Sequence, residues 1–242
     1  MNERYIQAAE IDWTPIDPRS YLRQIPALAR TGRLELEKNV TFFVGENGTG
    51  KSTLLEAIAV AYGFNPEGGT MNYRFETYND VSPLSSALRL IKGYRRPLSS
   101  YFFRAESFFN LATKAEEYDR YNPCGHSFGD KGLHDQSHGE SFLAFFQSFD
   151  RDGLYIMDEP EAALSPQRQL TLLIQIAQMA QAGAQFIIAT HSPILLGVPD
   201  AQILSFDDGR IHPCTYEEAD SYQVTKMFLN HRERMLQQLL EP

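Results

Sequence analysis

Cysteine is almost missing from this 242-residue chain, which has two, Cys124 and Cys214. Two thiols cannot build a disulfide framework, so a hydrophobic core must carry the stability, and a reducing cytoplasm is the expected compartment. Long apolar runs are missing too. No stretch approaches the roughly 18–20 apolar residues of a membrane span. The opening MNERYIQAAEIDWTP carries charges where a secretory signal needs unbroken apolar residues. Direct membrane insertion is therefore not expected. Basic residues are in deficit: 22 Lys and Arg stand against 31 Asp and Glu, a net charge of −9. That balance argues against a dominant nucleic-acid surface and leaves room only for a local basic strip. Internal repeats, low-complexity tracts and heptad runs are also lacking.

What is present suits one large domain, with 43% hydrophobic and 22% charged residues. LELEKNVTFFVG (34–45) alternates and then turns continuously apolar, the pattern of a strand entering a buried sheet. After a glycine-rich turn, STLLEAIAVAYGF places Leu54, Leu55, Ile58, Ala59 and Tyr62 on one helical face. GLYIMDEP (153–160) and AQFIIATHSP (184–193) are β-rich runs with polar ends. Between them PQRQLTLLIQIAQMAQAG is an amphipathic helix stopped at Gly183. QILSFDDGRIHPCTY (202–216) reads as a hairpin around an Asp-Gly turn, and residues 217–242 as mostly helical. The alternation predicts an α/β fold with a mostly parallel core sheet. Residues 64–150, rich in Gly, Asn, Ser and Pro, read as a lobe inserted into that single 1–242 domain. Within it, PLSSALRLIKGY is expected to form a short helix, 99–118 a strand that becomes helical, 119–136 a loop, and 139–149 an apolar-faced helix.

GENGTGKS, Gly45 to Ser52, fits G-x-x-x-x-G-K-[ST] between a predicted strand and a predicted helix. Glycines let successive N–H groups converge on an anion, and the following helix adds its positive end. Gly45, Glu46, Asn47, Gly48, Thr49, Gly50, Lys51, Ser52 and Thr53 are thus expected to bind ATP, with Lys51 on the β and γ phosphates and Ser52 on Mg²⁺. LYIMDEP delivers Asp158 and Glu159 from a buried strand. Asp158 is expected to hold Mg²⁺ from its second side, and Glu159 to orient and deprotonate the attacking water. FIIATHSP delivers Thr190, His191 and Ser192 to the same sheet edge, where ligands of open α/β sheets bind. His191 is placed to contact the γ-phosphate or the water.

HDQSHGESF (134–142) admits several readings. Cys124, His126, His134 and His138 could ligate zinc, although the spacing is not that of a familiar structural site. A serine nucleophile lacks its strand–elbow–helix context. A solvated turn is the plain alternative. The chain as a whole resembles the ATP-binding-cassette (ABC) ATPase superfamily, from about Leu34 to Ile211, most strongly at 45–53 and 154–166. That family carries an L-S-G-G-Q signature shortly before its second acidic motif. Ser137, His138, Gly139, Glu140 and Ser141 stand there, with Ser137 21 residues before Asp158 and His191 33 residues after it.

The resemblance implies a P-loop NTPase fold of ABC type, with an N-terminal antiparallel β portion and a mainly helical lobe. It also implies that Ser137 and Gly139 contact the γ-phosphate of ATP held by a second copy, in a head-to-tail homodimer formed on ATP. Three departures mark the chain. The signature reads SHGES. No lid glutamine is evident, and YFFRAESFF stands in its place, with Glu106 (as a metal ligand) or Arg104 as substitutes. EAALSP puts Ser165 where the family has an aspartate. These features are similar to short stand-alone AAA/ABC-type ATPases with a non-transporter signature. The implied role is an Mg²⁺-dependent ATPase acting as a soluble switch or motor for an unidentified protein partner, in nucleic-acid maintenance or phage defence. The alternatives are the ATPase subunit of a membrane transporter and an ATP-gated binding module with negligible turnover.

Overall fold

The computed structural model describes residues 4–71, 82–105 and 152–240. Its strands are β1 (Ile6–Ile11), β2 (Arg33–Glu35), β3 (Val40–Val44), β4 (Leu88–Lys92), β5 (Ser99–Arg104), β6 (Gly153–Asp158), β7 (Gln185–Ala189), β8 (Gln202–Ser205) and β9 (His212–Cys214). Its α-helices are α1 (Pro26–Ala29), α2 (Lys51–Tyr62), α3 (Leu84–Ala87), α4 (Pro166–Gln181) and α5 (Asp220–Leu240). Six strands form one sheet in the order β5-β6-β7-β3-β8-β9. The first five run parallel, and β9 closes the edge antiparallel to β8. Three more form an antiparallel sheet, β2-β1-β4. The α/β class, the parallel core and the N-terminal antiparallel portion are all present.

Two local expectations are corrected. The single strand expected over 34–45 is two strands in different sheets. Leu34 is buried between exposed Arg33 and Glu35, as on a half-covered antiparallel strand, whereas all five residues of β3 are buried. The pattern break at Glu37–Asn39 is the crossing between sheets. The helix expected at PLSSALRLIKGY is one helical turn, α3, followed by strand β4. Pairing with β1 in the register Ala9↔Leu90 supplies main-chain bonds that a lone four-residue helix cannot extend. Thus β4 and β5, both inside the stretch 64–150, are strands of the two sheets.

The parallel sheet is covered on both faces because successive side chains point to opposite sides. Phe43, Ile156 and Ile187 pack with Leu54, Leu55 and Ile58 of α2. Phe42, Tyr155, Phe186 and Ile188 pack with Leu172, Ile176 and Met179 of α4. Burying each such side chain contributes about 1.5–3 kcal/mol. The antiparallel sheet is fastened to this body by a buried side chain. Gln185 Oε1 accepts from the Ile6 N–H at 2.9 Å, and Gln185 Nε2 donates to the Ile6 carbonyl at 2.7 Å. Asp152 adds a second fastening, receiving the Tyr5 hydroxyl and the Arg95 guanidinium, the latter at 2.8 Å. With β3, β6 and β7 adjacent and parallel, their carboxyl ends meet at one edge of the sheet.

Candidate functional site at the phosphate loop

The turn between β3 and α2 is shaped by glycines at positive φ, where a side chain would be strained. Gly45 has φ 136°, and a Cβ there would lie 2.9 Å from Asp207 Oδ1. Gly50 has φ 97°, and a Cβ there would lie 2.9 Å from Leu28 of α1. Lys51, only 5% exposed, turns its ammonium back along the loop, donating to the Gly45 and Glu46 carbonyls at 2.7 and 2.9 Å. Burial pushes its pKa down. The carboxylates of Asp207, Glu159, Asp158 and Glu46, in that order, push it back up.

Asp158 ends β6 in register with Ala189 of β7 and Arg104 of β5. Its Oδ1 accepts from Ser52 Oγ at 2.9 Å, so the two expected Mg²⁺ ligands meet. A hydroxyl and a carboxylate oxygen converging beside a phosphate loop suit a hard cation such as Mg²⁺. Glu159 follows in the left-handed region, φ 48° and ψ 54°, which costs a non-glycine residue of order 1 kcal/mol or more. Its N–H is tied to the Ala189 carbonyl at 2.9 Å, while its side chain is exposed. Asp158 thus bonds to Ser52, while the exposed Glu159 carboxylate still acts on the Lys51 ammonium.

His191 lies beyond the tip of β7, its N–H donating to Glu161 Oε1 at 2.6 Å. Thr190 Oγ1 accepts from the Ser192 N–H, and the Ser192 hydroxyl donates to Gln169 of α4. The segment Thr190–Ser192 is thereby held from two sides. Val44, Gly45, Glu46, Thr190 and His191 line a cleft closed by Asp220, Ser221, Val224 and Thr225 of α5.

Two of the residues singled out in the sequence have partners within the chain. Arg104 bonds to Glu56 of α2 at 2.7 Å and to the Pro66 carbonyl at 3.0 Å, a structural link between β5 and α2. Ser165 caps α4, accepting from the Arg168 N–H. Glu106, the signature residues Ser137 to Ser141, and the zinc alternative at Cys124, His126, His134 and His138 lie outside the described residues. Sequence reasoning missed Asp207, whose Oδ1 accepts from the Glu46 N–H at 2.9 Å, and Glu161. The Asp-Gly turn marked Asp207's neighbourhood, but nothing local marked its partner 161 residues away.

Residues 19–87 match the family described as "AAA domain", and residues 141–197 the family described as "AAA domain, putative AbiEii toxin, Type IV TA system". A Rhizobium etli protein named "Putative ribose/galactose/methyl galactoside import ATP-binding protein 1" is 26% identical over 212 residues, covering 74% of this chain. The chain spans 40% of that relative's length. Among solved structures, cbiO1 from Clostridium perfringens, part of the ABC transporter complex cbiONQ, is similar with TM-score 0.53 and 19% identity, over 95% of this chain and 97% of that one. The SMC head domain from Thermotoga maritima aligns with TM-score 0.46 and 16% identity, over 87% and 98% of the two chains.

Proposed function

We propose that this chain is an ABC/AAA-type P-loop ATPase that binds Mg–ATP at the 45–53 loop and hydrolyses it, a reading supported by the two AAA-domain matches, the import ATP-binding relative and the fold shared with cbiO1. The observation that carries the reading is the 2.9 Å bond between Ser52 Oγ and Asp158 Oδ1 beside the buried ammonium of Lys51. A single metal binder would not need the ammonium, and a bare anion site would not need the carboxylate.

Loop amides and Lys51 neutralise the phosphate charge. Ser52 and Asp158 hold Mg²⁺, which when bound spreads the charge developing on the β and γ oxygens. Glu159 accepts a proton from a water whose oxygen attacks the γ-phosphorus, and the bond from that phosphorus to the bridging oxygen of ADP breaks. The products are ADP, phosphate and the proton held by Glu159. His191 contacts the γ-phosphate. Ser137 and Gly139 of a second copy complete the site across a head-to-tail dimer, so each chain holds only part of it.

The working role is a switch or motor for a protein partner. The ABC transporter subunit is the second reading, favoured by the Rhizobium etli relative, whose name calls it an import ATP-binding protein. Among the described residues no helix is long and apolar enough to cross a membrane. The test is phosphate release by Glu159→Gln with ATP and Mg²⁺. Turnover should drop about 10²–10⁴-fold with ATP binding retained. Undiminished turnover removes Glu159 from the chemistry.

A further inference from the structure

The third wall of the phosphate cleft belongs to no part of the ATP machinery described so far. Lys51, the side chain that reaches the β and γ phosphates in such loops, has its ammonium against the Gly45 and Glu46 carbonyls at 2.7 and 2.9 Å. The γ end of a bound triphosphate therefore lies at Gly45–Glu46. Those two residues line the cleft with Thr190 and His191 on one side and the first turn of α5 on the other. Two polar atoms of that lining, His191 Nε2 and Ser221 Oγ, are shielded from solvent and have no hydrogen-bond partner among the described residues. Shielded polar atoms without partners are disfavoured, and a phosphoryl oxygen that entered the cleft and displaced what shields them would supply the missing partner of each. The carboxylates of Glu46 and Asp220 belong to exposed residues, where their charge stays hydrated.

We propose that Ser221 is a γ-phosphate ligand: its hydroxyl donates to the third phosphate from the side opposite His191, and the C-terminal helix thereby distinguishes ATP from ADP. The proposal rests on the phosphate-loop reading above. It also gives α5 a reason for its form. The helical stretch runs 21 residues, breaks at His231 (φ −133°, ψ 34°) and buries none of them. Its root is held locally, by the Tyr216 and Tyr222 rings at 4.5 Å and by Gln223 Nε2 donating to the Glu217 carbonyl at 2.8 Å. A helix so lightly seated takes its bearing from its first turn, and a bond formed at Ser221 is felt as far as the break at His231.

The experiment compares the affinity of the full chain, with Mg²⁺, for the β,γ-imido analogue of ATP and for ADP, in the parent and in Ser221→Ala and Ser221→Thr. A hydrogen bond to a charged oxygen predicts that Ser221→Ala weakens the analogue about tenfold, leaves ADP unchanged, and that Ser221→Thr retains the parent values. Equal affinities in parent and Ser221→Ala overturn the proposal, as does an equal loss for both nucleotides, which marks a structural effect. A parent that binds neither nucleotide overturns the phosphate-loop reading itself, and this inference with it.

Discussion

Ser52 and Asp158 are 106 residues apart in the chain and 2.9 Å apart in space. Neither side chain alone defines a cation site; the pair does, because hydroxyl and carboxylate oxygens are the ligands hard cations take. Removing the hydroxyl should leave the loop amides and Lys51 in place and subtract only the metal's share of binding. Ser52→Ala is therefore expected to bind ATP in EDTA as the parent does, while the gain on adding Mg²⁺ shrinks by at least about tenfold. Titration calorimetry with and without the metal reads both numbers. An undiminished Mg²⁺ gain would assign the metal to other ligands. Glu159 shows the cost in the backbone: its φ of 48° holds a non-glycine residue in the left-handed region next to Asp158. Lys51 adds the electrostatic member, since burial lowers its pKa and the carboxylates around it oppose that fall.

Elements bring these residues together, and at this scale one buried side chain carries a main link between the two sheets. Gln185, fully buried in β7, satisfies both main-chain groups of Ile6 in β1. Gln185→Ala should strand a buried N–H and a buried carbonyl and cost about 3 kcal/mol, seen as a lower denaturation midpoint with unchanged slope. A loss under about 0.5 kcal/mol would mean water or a shifted strand replaces the amide. This dependence was invisible in the sequence, where Gln185 reads as the polar start of a strand. The parallel core was legible because its strands are continuous apolar runs ending in polar residues, as in LYIMDEP and FIIATHSP. The hairpin at 202–216 was legible from Asp-Gly, which does sit at positive φ, 58° and 67°. The strand β4 was not, because LRLIK packs one side only partly and SSAL before it favours a helical turn. The phosphate loop and the two acidic residues could be read because each stands in a local pattern, a glycine-rich turn before a helix or an apolar strand ending in carboxylates. Asp207 and Glu161 could not, because no such pattern surrounds them and each bonds to a residue brought near only by the fold.

At the scale of the molecule, charge and surface argue about assembly. A chain with net charge −9 repels its own copies at long range, so association needs a specific trigger that adds contacts at short range. On the proposed reading a triphosphate bound at the sheet edge supplies one: its γ-phosphate is the group to which a second chain's Ser137 hydroxyl and Gly139 N–H, neutral donors, are proposed to donate. ADP lacks the group they would contact. Glu159→Gln, which keeps the γ-phosphate in place by stopping its cleavage, should therefore double in mass from 27.5 kDa with ATP and Mg²⁺, and stay single with ADP, in light scattering on a sizing column. Screening the mutual repulsion with salt should strengthen the pair up to the point where donor–phosphate contacts are themselves weakened. Adding Ser137→Glu to that variant places a carboxylate against the phosphate and should abolish the doubling without touching ATP binding, which each chain performs on its own loop. Doubling that survives Ser137→Glu, or that occurs equally with ADP, would show that the copies meet through a surface other than the triphosphate.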